Sequence, residues 1–117
     1  MNYDLVAVEA EQTINGILYQ YIERFCFNRS DRRKALTTLM EASQLPELDY
    51  DGIKLTVVRL SDTMRSIEMD STGDISEMAK WRKAIDQISS IMHISRAYPK
   101  DAMKRLKRLR DMPVKAV

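Results

Sequence analysis

The sequence has very few of the residues that form covalent or metal-bound frameworks. Its 117 residues include one cysteine and one histidine, with three glycines and three prolines. A single cysteine, Cys26, cannot form an internal disulfide, which is typical of proteins in a reducing compartment. No apolar run approaches the roughly 20 residues of a membrane-spanning helix, and the first residues are acidic where a signal peptide needs positive charge. These absences predict a cytoplasmic protein with no membrane partner.

Sequence motifs of catalysis and metal binding are also missing. The chain has no glycine-rich phosphate loop, no G-x-S-x-G, no H-E-x-x-H and no C-x-x-C. His93 and Cys26 are far apart in sequence, so they lack the short spacing of metal ligands. We therefore expect a protein that is not an enzyme, with no cofactor, no metal and no small-molecule substrate.

The composition is that of a folded domain. Hydrophobic residues make up 44% of the chain and charged residues 31%, with a formal net charge of +2. Intrinsic disorder needs low hydrophobicity and a large net charge, so it is disfavoured here. The length corresponds to one domain.

Apolar residues recur at three- and four-residue spacing in five segments, at about 4–27, 31–42, 53–68, 74–98 and 100–112. This spacing predicts an all-α fold, a small helical bundle of about five helices. Gly16 interrupts the first segment, where a glycine costs a helix about 1 kcal/mol relative to alanine. We expect a neighbouring part of the chain to pack closely against it.

The third segment also fits a different structure. Asp51-Gly52 is a strong hairpin-turn signal, and the β-branched residues that follow it favour a strand. An α+β fold with a short hairpin at about 48–57 is therefore the alternative. The helix is favoured because Ile53, Val57 and Leu60 begin an apolar spacing that continues unbroken to residue 67.

The charge is concentrated at the C-terminal end. From Arg96 onward there are eight basic and two acidic residues, whereas the first 95 residues carry a net charge of −4. We divide the chain into a bundle core at 1–98 and a basic C-terminal helix and tail at 99–117, which is packed on the same domain or extends from it. The predicted cationic residues of that helix are Lys100, Lys104, Arg105, Lys107, Arg108 and Arg110.

Such a row of cations predicts contact with the phosphates of a nucleic acid. No aromatic residue interleaves the basic run, so we expect binding to the backbone with little sequence specificity. Arg32 and Arg33 form a smaller basic cluster, which would extend this surface if the two helices were adjacent. The alternative is a regulatory protein, an adaptor or inhibitor whose basic helix docks on an acidic or apolar surface of a partner protein.

The first helix offers a second candidate interface. Its apolar face carries Ile14, Leu18, Tyr21 and Phe25. A small domain has difficulty burying such a long helix by itself. We therefore expect this face to bind a partner or a second copy of the chain in a homodimer.

Overall fold

The computed structural model of the chain describes residues 5–25, 29–45, 47–71 and 75–115. These residues form five helices and no strand: α1 (Leu5–Phe25), α2 (Arg29–Ala42), α3 (Tyr50–Asp70), α4 (Ile75–Ile94) and α5 (Pro99–Lys115). The predicted all-α bundle of about five helices is confirmed. Cys26 and the last two residues of the C-terminal segment lie outside the described residues.

The hairpin predicted as an alternative at about 48–57 is wrong, because this region begins α3. The side chain of Asp49 caps the helix by accepting a hydrogen bond from the Gly52 backbone N–H at 2.8 Å. Glycine is needed at position 52 because the backbone of a preceding residue passes close to it, and not because the chain forms a turn there. A Cβ atom at this position would overlap with the backbone carbonyl of Glu47.

Helices α1, α4 and α5 each pack against the other two, α3 packs mainly against α4, and α2 packs mainly against α3. The aromatic residues of the core meet near Trp81, which is 2% exposed. Phe25 packs edge-on against Trp81 with ring centroids 5.1 Å apart, and Tyr21 lies 5.3 Å from Phe25. Aromatic pairs in this geometry add to the free energy of apolar burial.

The C-terminal helix α5 is part of this core. Its residues Ala102, Leu106 and Leu109 are buried against α1 and α4. Polar contacts also join α5 to α1: Thr13 donates to the Leu106 carbonyl at 3.2 Å, and Gln20 donates to the Arg110 carbonyl at 2.9 Å. The basic helix is therefore packed on the domain from Ala102 to Arg110.

The apolar face of α1 is covered by the chain itself, which corrects the interface predicted there. Ile14, Leu18 and Tyr21 are buried, and Phe25 is half-buried against Trp81. We expected α1 to need a partner because its face is long, but α4 and α5 supply the covering surface. Ile14, Leu18 and Tyr21 are therefore core residues in the folded chain and are not open to a partner, whereas the ring of Phe25 remains partly exposed.

Gly16 lies against α5, as its position within a helix predicts. A Cβ atom at this position would lie 3.0 Å from both Cγ and Cδ of Arg110. The side-chain stem of Arg110 therefore passes directly over the glycine. Arg110 continues toward Glu9, whose Oε1 is 3.9 Å from its Nη2 atom.

This contact makes the effect of an alanine at position 16 depend on Arg110. In an Arg110→Ala background, we expect Gly16→Ala to stabilise the protein by about 1 kcal/mol, the usual helix preference for alanine. In the presence of Arg110, displacement of the stem should offset most of that gain. Urea unfolding of the four proteins of this double-mutant cycle measures the difference. Equal effects in both backgrounds would show that Arg110 does not constrain the site.

Candidate nucleic-acid interface

The exposed side of α5 carries a row of cations, which we call the outer face. Ala102, Leu106 and Leu109 point into the core, so the opposite side of the helix faces solvent. The outer face consists of Lys100, Lys104, Lys107 and Arg108, all exposed. They fall within an arc of about 100° and span about 12 Å along the helix axis. Among the described residues none of the four has an ion-pair partner.

Two acidic residues modify this surface. Asp101 accepts a hydrogen bond from Nε of Arg105 at 2.9 Å, and both side chains are exposed. Ion pairs in such exposed positions contribute about 0–1 kcal/mol, so Arg105 can exchange this partner for a phosphate at little cost. Asp111 is also exposed on this side of α5. The four positive charges of the outer face still exceed the single negative charge of Asp111.

Arg110 does not belong to the outer face, although we predicted it from the sequence as one of the six cations that contact phosphates. It lies on the flank of α5 that contacts α1, above Gly16 and within 3.9 Å of Glu9. The structure therefore assigns Arg110 to the α1–α5 contact. Of the six cations predicted on this helix, the other five are exposed.

The second basic cluster lies on a different part of the bundle. Arg32 and Arg33 are exposed on α2, and Nη1 of Arg32 is 3.8 Å from Oε1 of Glu23. Helix α2 packs against α3 and α1 and makes no contact with α5 within the described part of the chain. The two clusters therefore do not form the single continuous surface considered from the sequence.

A groove runs between α4 and α5 beside the outer face. Its α5 wall includes Lys104, Arg105 and Arg108, and its volume is about 630 Å³. Its α4 wall includes the neutral polar residues Gln87 and Ser90. The buried side chains of Ile91 and Leu109 line it as well. We call this feature the α4–α5 groove.

The α4 wall was missed in the sequence because its residues carry no charge. Gln87 and Ser90 lie three residues apart, which places them on one side of α4. This spacing of polar residues was the feature of the sequence that could have indicated the α4 wall. Only the packing of α4 against α5 shows that Gln87 and Ser90 lie opposite the cations.

The single histidine is engaged at the end of the bundle where α3 begins. Nδ1 of His93 lies 2.8 Å from the hydroxyl oxygen of Tyr50. The guanidinium carbon of Arg96 lies 4.8 Å from the centroid of the same tyrosine ring, a cation–π contact. Within residues 5–25, 29–45, 47–71 and 75–115, no three His, Cys, Asp or Glu side chains come together as a metal site requires.

None of the helices in the described ranges combines the length and apolar character needed to cross a bilayer. Comparison of the chain with models of protein families, with curated proteins and with solved structures finds no match in any of the three.

Proposed function

We propose that this protein is a non-enzymatic module that binds the sugar–phosphate backbone of nucleic acids through the outer face of α5. The observation that carries this proposal is the row formed by Lys100, Lys104, Lys107 and Arg108. These cations are exposed and unpaired among the described residues, and the buried opposite side of α5 fixes their position. We place this function in the cytoplasm, in keeping with the single cysteine.

The expected mode of binding follows from the position of α5 in the bundle. Helices α1 and α4 pack against α5, so α5 does not protrude from the bundle. A recognition helix enters the major groove of DNA only when it protrudes from its domain. Contacts to phosphates do not need such insertion, and they carry no sequence information. We therefore propose backbone contacts with weak sequence preference.

The test is a salt titration of the whole chain with a fluorescent oligonucleotide, read by anisotropy. Four phosphate contacts on a duplex predict that affinity falls about 100-fold between about 50 and 200 mM salt. The intact chain is required because deletion of α5 would remove Ala102, Leu106 and Leu109 from the core. No binding at about 50 mM salt to duplex or single-stranded probes would contradict the proposal.

A second candidate function is an adaptor that binds another protein through α2. Leu36 and Met40 are 45% and 59% exposed, and they lie one turn apart on the same side of that helix. Arg29 and Arg33 are exposed on the same helix. An apolar pair beside cations would suit a partner segment with apolar and acidic residues. Such a complex depends on apolar burial, so its affinity should fall much less steeply with salt.

A further inference from the structure

We propose that the ligand of this surface is a single strand, whose phosphates follow the α4–α5 groove and one of whose bases stacks on Tyr98. The inference rests on the proposed function, since it specifies which form of nucleic acid the outer face of α5 binds. It uses residues of α4 and of the α4–α5 connection that the proposed function does not involve. Three observations support it.

The first observation is the unequal charge of the two walls of the groove. Lys104, Arg105 and Arg108 line the α5 wall together with Asp101, which pairs with Arg105, so this wall keeps a net positive charge. Gln87 and Ser90 on the α4 wall are neutral. One charged wall can hold one row of phosphates. A duplex presents two backbones, about 12 Å apart across its major groove, and a groove with a single charged wall does not match both.

The second observation is the chemistry of the α4 wall. The amide of Gln87 and the hydroxyl of Ser90 both donate and accept hydrogen bonds. The edges of unpaired bases and the 2′-hydroxyl of RNA need partners of this kind. In a duplex, the Watson–Crick edges are already paired. The neutral wall is therefore useful to a ligand whose bases are free.

The third observation is the exposed ring of Tyr98, which lies in the connection between the two helices that line the groove. Its side chain is 66% exposed. Its backbone is held by two hydrogen bonds, from its N–H to the Ile94 carbonyl at 2.9 Å and from the Ala102 N–H to its carbonyl at 3.0 Å. Ile94 and Asp101, which lie on either side of this residue in the chain, both line the groove. An exposed ring on a fixed backbone is a stacking platform for a base.

This assignment changes one expectation from the sequence. The basic run lacks an interleaved aromatic residue, so the sequence predicted contacts to the backbone and gave no residue on which a base could stack. Tyr98 directly precedes α5, and it lies in the chain between Ile94 and Asp101, which both line the groove. Stacking on an aromatic side chain tolerates every base, so it adds affinity without sequence specificity.

The test compares a single-stranded oligonucleotide of about 12 nucleotides with a duplex of the same length by anisotropy, in both DNA and RNA. We expect the wild-type chain to bind the single strand about 10-fold more tightly. Tyr98→Ala should weaken single-strand binding about 10-fold and leave duplex binding unchanged. Tyr98→Phe keeps the ring and should keep the affinity. The matched control is Tyr19→Ala, since Tyr19 is 68% exposed but lies on α1.

An abasic strand of the same length separates stacking from charge. Its phosphates remain, so it should bind the wild-type and Tyr98→Ala proteins equally. A carboxylate introduced by Ser90→Asp on the α4 wall should weaken single-strand binding more than duplex binding, since only the single strand is expected to contact this wall. Far-UV circular dichroism of each variant checks that the helices are intact.

The outcomes separate this inference from the proposed function. Equal affinity for single strand and duplex, or no effect of Tyr98→Ala, would overturn the groove assignment while leaving backbone binding by α5 in place. The absence of binding to any probe at about 50 mM salt would overturn both. A loss of duplex binding in Tyr98→Ala equal to the loss of single-strand binding would also contradict the stacking role.

Discussion

Charge reversal at two positions of the outer face, Lys104→Glu with Arg108→Glu, is expected to weaken nucleic-acid binding about 100-fold at about 50 mM salt. Two phosphate contacts are lost, and the new carboxylates repel the phosphates. The dependence on salt should become less steep by about two units of the logarithmic slope, because two fewer counterions are released. Anisotropy titrations across the salt series measure both quantities.

The matched control for this variant is the double reversal Arg59→Glu with Arg65→Glu. Both arginines are exposed on α3, which makes no contact with α5 among the described residues. The control changes the net charge of the chain by the same amount, so it separates a local effect from a general one. If both double variants lose affinity equally, binding depends on overall charge and the outer face of α5 has no special role.

Truncation of Trp81 to alanine is expected to cost about 3–5 kcal/mol of the free energy of unfolding. Trp81 is nearly fully buried and packs edge-on against Phe25, so its removal leaves a cavity between α1 and α4. Natural domains are stable by about 5–15 kcal/mol, so this one change removes much of the stability. Urea unfolding followed by far-UV circular dichroism measures it, since the variant has no tryptophan fluorescence.

The comparison for Trp81 is Tyr19→Ala, which removes an exposed aromatic ring from α1 and should alter stability by less than about 0.5 kcal/mol. A loss below about 1 kcal/mol for Trp81→Ala would mean that the aromatic cluster contributes little to the core. Nucleic-acid binding by Tyr19→Ala should equal that of the wild type.

Local sequence patterns were sufficient to predict the helices. The spacing of apolar residues depends on the helical repeat alone, so all five segments could be identified without knowledge of their partners. The start of α3 is the region where local sequence patterns did not decide between a hairpin and a helix. Asp51-Gly52 fits a hairpin by residue preference, and the need for glycine came instead from the nearby Glu47 carbonyl. Such a contact depends on the path of the preceding loop.

The candidate site could be predicted only in part, for the same physical reason. Lys104 and Arg108 were found from charge alone, because cations on an amphipathic helix occupy the side away from its apolar arc. Arg110 has the same charge but lies at the border of that arc, where contact with Gly16 and Glu9 decides its direction. Gln87 and Ser90 gain their importance from the packing of α4 against α5, which sequence periodicity does not reveal.

The packing of α1 against α5 has a consequence for how the chain folds during synthesis. Thr13 and Leu106 are in contact although they lie near opposite ends of the sequence. The ribosome completes α1 before it makes α5, so the apolar side of α1 that α5 covers stays open to other molecules until α5 has emerged. Nascent chains with such exposed surface are prone to aggregate and are typical clients of chaperones. We expect this domain to reach its compact state only after release of its last helix.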